Sequence, residues 1–268
     1  MSHHTSMKNK ARRDASVLFD GTLEGFLCIF HAYYYEGVQP IYIQEEGSHQ
    51  PTLETEEYYV ITDIDQALRI QQAIRKKISS LAEYQLTNAF MSCEADRFMA
   101  MFRYVILGFK VGSNVDDHLQ EDCVLRVQKL SRYVGREAHL LTGFCRFAET
   151  SDNIYYCSIE PVNDVLPILA HHFCDRMMNQ AWIIHDKRRN KAAVYNGTEH
   201  VIANVPKNAS IQYSDNEEHI QDLWTTFFHS VNIKERKNPK VQRNLIPLYF
   251  RKSMVEFQVA SRRKGLDG

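Results

Sequence analysis

The apolar and polar positions divide the chain into a strand-and-helix opening, a helix-rich middle and a strand-rich second half. Ser16–Phe19 is a short apolar run and predicts a strand. Asp20-Gly21-Thr22 then supplies a turn that can cap a helix over about Leu23–Tyr35, dense enough in apolar residues to be buried on several sides. A loop through Gly37 and Pro40 leads to an extended stretch near Ile41–Ile43. From Ile41 to Gln66 there are seven acids and no Lys or Arg, which predicts a solvated loop holding one strand, Tyr58–Thr62. Three stripes at helical spacing follow: Ile70, Ile74, Ile78 and Leu81, capped by Asp63 or Asp65; Phe98, Phe102, Val105 and Phe109; and Val115, Leu119, Cys123, Val127, Leu130 and Val134. Aromatics at this spacing read as the core of a helical bundle.

After Gly135 the period changes. Leu141–Phe147 and Ile154–Ile159 flank Glu149-Thr150-Ser151-Asp152 and predict a β-hairpin. A helix is expected over about Asn163–Met177, then strands at Ala181–His185, Ala192–Tyr195 and His200–Val205, with a turn at Asn196-Gly197. Helices at about Glu217–Ser230 and Pro247–Phe257 close the chain. The expected fold is α+β, an antiparallel sheet with helices on one face and an α-helical insertion at about 63–134. One domain over 16–257 is expected, with a mobile tail at 1–15 and a basic tail at 258–268.

Composition adds mainly exclusions. A chain of 268 residues, 44% apolar and 24% charged, has ample core material for one large domain or two coupled ones. Its net charge of −1 advertises no polyanionic partner, so any such surface must be local. No apolar run reaches a membrane span and the basic start lacks a signal-peptide pattern, so a cytoplasmic protein with no membrane association is expected. The six cysteines, at 28, 93, 123, 145, 157 and 174, never stand two or three apart. A zinc ribbon, a redox pair and a contiguous iron–sulfur run are therefore not encoded, and no metal and no cofactor is expected. Gly-rich phosphate loops, G-x-S-x-G and H-E-x-x-H are likewise missing.

Three constellations could carry chemistry. Arg136, Glu137 and His139 precede Phe144 and Arg146, which would share a face if they lay on a strand; a ring beside a guanidinium suits a base or a phosphate. The plainer reading pairs Arg146 with a carboxylate such as Glu160. A second run holds Glu160, His172, Arg176, Trp182, His185 and Asp186. No two of its histidines have helical ligand spacing, so the plainer reading is satisfied core and rim histidines, and an anion-binding pocket comes before a metal site. The third is C-terminal: between Asn232 and Lys264 ten Lys or Arg face two acids, with Tyr249, Phe250 and Phe257 interleaved. Arg236, Lys237, Lys240 and Arg243 are its candidate phosphate contacts. The plainer reading docks this segment on the acidic loop at 45–65.

Several strings together resemble a bacterial family of DNA-metabolism proteins built on a domain of unknown function. They are Leu18–Leu27, Arg136–His139 with Phe144–Phe147, Glu160-Pro161 with Asp164–Leu166, His172–Arg176, Trp182–Asp186, and Leu223-Trp224 with Asn232–Arg236, Asn238, Gln242 and Pro247. The match runs from about 16 to 255. Asn163 departs from it by standing where His is frequent, and Phe250 by standing where Trp is commoner. The resemblance implies a chain encoded beside a radical-SAM protein for DNA modification or repair, and a related domain fused to uracil-DNA-glycosylase-like proteins.

The leading expectation is thus a DNA or RNA metabolism accessory protein acting with a radical-SAM partner. Arg136, Arg146, Arg176 and Trp182 would join the basic segment in binding. The alternative is a nucleic-acid hydrolase or glycosylase, with Glu137 or Asp186 as base, His139 or His172 as acid and Arg146 or Arg176 stabilising charge. A third is a scaffold for the partner.

Overall fold

In the computed structural model, β1 (Arg13–Phe19) is buried at every position from Ala15 to Phe19. Continuous burial of this kind suits a central strand covered on both faces. β1 lies between β2 (Val38–Glu45) and β3 (Glu56–Tyr59) and pairs with both in parallel. This corrects the antiparallel expectation. Between β1 and β2 the chain returns through a helix, α1 (Leu23–His31), and a crossover connection of that length gives parallel pairing. A π-helical turn, Ala32–Glu36, extends α1, and Gly37 ends it at φ 76°.

The Asp20-Gly21-Thr22 turn builds the start of α1. Thr22 Oγ1 accepts from Gly25 N at 3.0 Å, and Asp20 accepts from Thr22 N at 2.9 Å, Thr22 Oγ1 at 2.6 Å and Thr62 Oγ1 at 2.8 Å. Burial pushes the Asp20 carboxyl up, but these hydrogen bonds together carry it below its ordinary value. The Asp20 carboxylate lies so close over the first turn that a Cβ on Gly25 would stand 2.3 Å from its Oδ1.

Helices α2 (Ile64–Lys77), α3 (Ser80–Phe90), α4 (Arg97–Val111) and α5 (Asp122–Phe144) follow. The first predicted stripe breaks at Ile78, because Ser79 caps a new helix by accepting from Ala82 N at 2.9 Å; Leu81 is exposed. On α4, Phe98, Phe102 and Val105 are core, as their spacing predicts. Phe98 meets Phe19 edge-on at 4.9 Å, and Phe102 stacks on Phe30 at 5.4 Å. In the third stripe Leu119 is exposed, and helix begins only at Asp122. It then runs through Gly135 to Phe144, which corrects the strand expected at Leu141–Phe147. A helical Gly costs about 1 kcal/mol. The buried Val134, Ala138 and Leu141, at helical spacing, outweigh it.

Where one domain is expected, the chain divides into two compact units, Met1–Tyr133 and Val134–Gly268, with the division inside α5. The described residues are 12–48, 55–206, 211–214, 216–230, 246–248 and 250–257; most of the two expected tails lies outside them.

The second unit holds a five-stranded sheet in chain order: β4 (Ala148–Glu149), β5 (Tyr155–Ile159), β6 (Trp182–Asp186), β7 (Lys191–Tyr195) and β8 (His200–Asn204). It too is mixed: β5 and β6 pair in parallel because α6 (Leu166–Arg176) carries the chain between them, while the other neighbours are antiparallel. The expected hairpin survives as the short β4–β5 pair. α6 buries Leu166, Leu169, Ala170 and Phe173. α7 (Glu217–Ser230) forms as its pattern predicts, whereas the expected helix over Pro247–Phe257 is a 3-10 turn at Phe250–Ser253 and α-helical only at 255–257. Helices and strands together make an α+β chain, and among the described residues no helix is long and apolar enough to cross a membrane.

Candidate functional site

The polar residues singled out in the second unit resolve into three clusters and a set of exposed side chains. The first cluster ties down the loop between β5 and α6. Glu137, on α5 and 6% exposed, accepts from Val162 N at 2.7 Å, Asn163 N at 2.9 Å and Asn163 Nδ2 at 2.7 Å. Asp186, wholly buried at the end of β6, accepts from Arg188 N at 2.9 Å and Arg189 N at 3.2 Å. It also pairs with Arg189 Nη1 at 2.9 Å, and the same guanidinium donates to the carbonyls of Pro161, at 3.2 Å, and Val162. Glu137 and Asp186 therefore grip one loop from two elements. Their lone pairs serve backbone amides, which buried polar groups need.

In the second cluster Arg146 pairs not with Glu160 but with Glu256, Nη2 to Oε1 at 2.7 Å, and Glu256 is only 2% exposed. Trp224 Nε1 donates to the other Glu256 oxygen at 3.3 Å, and the Arg146 guanidinium stands 5.5 Å from the Trp224 ring centre. Phe144 sits 5.5 Å from Phe250. Because Phe144 ends α5, its anticipated strand alternation with Arg146 does not exist.

The third cluster went unseen in the sequence. The Tyr156 hydroxyl and His185 Nδ1 lie 2.8 Å apart across the parallel β5–β6 pair. Burial, with Lys187 nearby, pushes the His185 pKa down. Burial raises the Tyr156 phenol to about 12, with Tyr213 and Cys157 adding to the rise. A neutral phenol donating to a neutral imidazole follows, with the ring proton on Nε2, a buried atom without a partner among the described residues. The signal was the alternation of Tyr156 with Ser158 and of Ile183 with His185, legible only once the strands are paired in register.

The remaining predicted residues are dispersed. Arg136, His139, Glu160 and Arg176 are exposed, and His172 is half-buried with Nε2 unpartnered among the described residues. Trp182 is sealed in the core, stacked on Tyr195 at 5.3 Å, so its ring is not offered to a base. Arg236, Lys237, Lys240 and Arg243 lie outside the described residues. Cys145, half-buried, and the buried Cys157, twelve positions apart, meet: the hydrogen bond to Cys157, with desolvation second, pushes the Cys145 pKa up. Among the described residues no group of three or more His, Cys, Asp or Glu is placed to hold a metal ion.

Residues 95–256 match DUF4130, described as a domain of unknown function, over more than half of the chain. The chain belongs to the DUF4130 family. The match takes in α4, α5, all three clusters and the whole five-stranded sheet, and leaves β1–β3 and α1–α3 outside it. No curated protein and no solved structure matches the chain.

Proposed function

We propose that this DUF4130 protein is a cytoplasmic nucleic-acid-binding accessory protein, with DNA as its favoured ligand, acting beside a separate radical-SAM enzyme. One observation carries the choice of binder over enzyme. Glu137 and Asp186, the two candidate bases, are buried and already accept from their own chain's amides, so neither is presented to a substrate. A hydrolase or glycosylase would need one of them within hydrogen-bond reach of its substrate.

The nucleic-acid half rests on charge. The segment Asn232–Lys264 carries a surplus of eight positive charges. Glu256, one of its two acids, is turned inward onto Arg146 and does not neutralise its neighbours. The radical-SAM half rests on the family resemblance and on the cysteine spacing, which leaves cluster chemistry to a partner.

Phosphate contacts make binding steeply salt-dependent and weakly sequence-dependent. The test is titration of single- and double-stranded probes over a salt series, with wild type and a Lys237→Ala/Lys240→Ala variant. Each lost contact should flatten the log–log slope on duplex DNA by about 0.9. If the variant instead loses thermal stability and keeps wild-type binding, the segment serves the fold. Absence of salt-dependent binding by the wild type, alone or with its radical-SAM partner, refutes the proposal.

A further inference from the structure

The first unit holds an open cavity of about 470 Å³, within the size range of small-molecule sites. One wall is a single face of α4: Arg103, Ile106, Leu107 and Lys110 stand at i, i+3, i+4 and i+7. Ile106 and Leu107 are half-buried and apolar, and the edges of the nearly buried Tyr33 and Phe102 continue that floor. Arg103 and Lys110 are exposed at its two ends, and neither makes an ion pair among the described residues. Two turns of helix place their backbones about 10 Å apart, a gap that two long side chains can close on one or two phosphates.

Acceptors line the same cavity. Gln120, Glu121 and Asp122, where α5 begins, present acceptors, and Gln39 of β2 adds an amide. Arg12 holds one of the lining rings: its guanidinium lies 3.7 Å from the centre of the Tyr33 ring and donates to the Tyr33 hydroxyl, which stiffens that aromatic wall. Unpaired cations, apolar side chains and carboxylates lining one cavity match a ligand with an anionic end, a compact ring system and amino donors.

The geometry points to this cavity as a binding site for a nucleoside phosphate, its phosphates on Arg103 and Lys110 and its base amino group on Glu121 or Asp122. This site lies in the first unit and stands apart from the DNA-binding proposal, so either can fail alone. The base preference follows from the acids: adenine, guanine and cytosine carry an exocyclic amine for a carboxylate to accept, and uracil does not.

Isothermal titration of the full chain with the four nucleoside mono- and diphosphates, inorganic phosphate and free tryptophan tests it. Adenosine, guanosine and cytidine phosphates should bind, with uridine phosphates weakest. Arg103→Glu/Lys110→Glu should weaken binding by about tenfold or more, while Arg132→Glu, an exposed change elsewhere on α5, should not. If the double reversal does not fold by circular dichroism, Arg103→Gln/Lys110→Gln replaces it. Four outcomes overturn the inference: no nucleotide titrates, inorganic phosphate binds as tightly as nucleotides, tryptophan alone binds, or the folded double variant binds like wild type.

Discussion

Replacing Glu137 separates a structural carboxylate from a catalytic one. In wild type its side chain, 6% exposed, accepts two backbone amides and the Asn163 side-chain amide, all between 2.7 and 2.9 Å. Glu137→Ala leaves these donors without an acceptor in a site water barely reaches. Each orphaned donor costs about 1–3 kcal/mol, and such losses are not additive within one network. The expected destabilisation is therefore about 3–5 kcal/mol, as for other broken buried networks. Glu137→Gln keeps one accepting oxygen but turns an amino group toward a donor, so about 1–3 kcal/mol is expected. Urea unfolding followed by tryptophan fluorescence measures this cleanly, because both tryptophans, Trp182 and Trp224, lie in the unit that contains Glu137. A general base behaves in the opposite way, its removal abolishing turnover with little change in the urea midpoint. If Glu137→Ala stays within about 0.5 kcal/mol of wild type, the range of an ordinary surface change, the structural assignment is wrong.

Two further outcomes test other parts of the molecule. Gly25→Ala drives a Cβ to 2.3 Å from Asp20 Oδ1 and 2.8 Å from Thr62 Oγ1, so it should destabilise by about 1–3 kcal/mol and lower the thermal midpoint seen by circular dichroism; Asp20→Ala in the same background should recover part of the loss. The His185 pKa is lowered in the folded state, so the unfolded chain binds the proton more readily: the stabilisation is present above the ordinary value of 6.5 and is lost as pH falls through the lowered folded value. Tryptophan-detected urea midpoints should fall between neutral and acidic pH in wild type and fall less in His185→Gln; equal slopes would remove His185 from the pH response.

The sequence by itself determined what neighbouring residues encode. α7 forms over Glu217–Ser230, β6 to β8 form within a residue or two of their patterns, and the Phe98, Phe102, Val105 stripe faces the core, because the periods of helix and strand are local. Partner choice is not local, and only the tertiary structure decided it. Pairing of β1 with β2 and of β5 with β6 is parallel because helices carry the chain across, information held by the connection and not by the strands. α5 passes through Gly135 because burial of Val134, Ala138 and Leu141 exceeds the small penalty that a local reading of that glycine relies on. The charged motifs tell the same story. Their residue types were legible, but Glu137 found its amides at 162 and 163, Arg146 found Glu256 across 110 positions, and His185 found Tyr156 on the adjoining strand. A buried polar group takes whichever partner the packed chain brings within about 3 Å, and that neighbour is set by the free energy of the whole core.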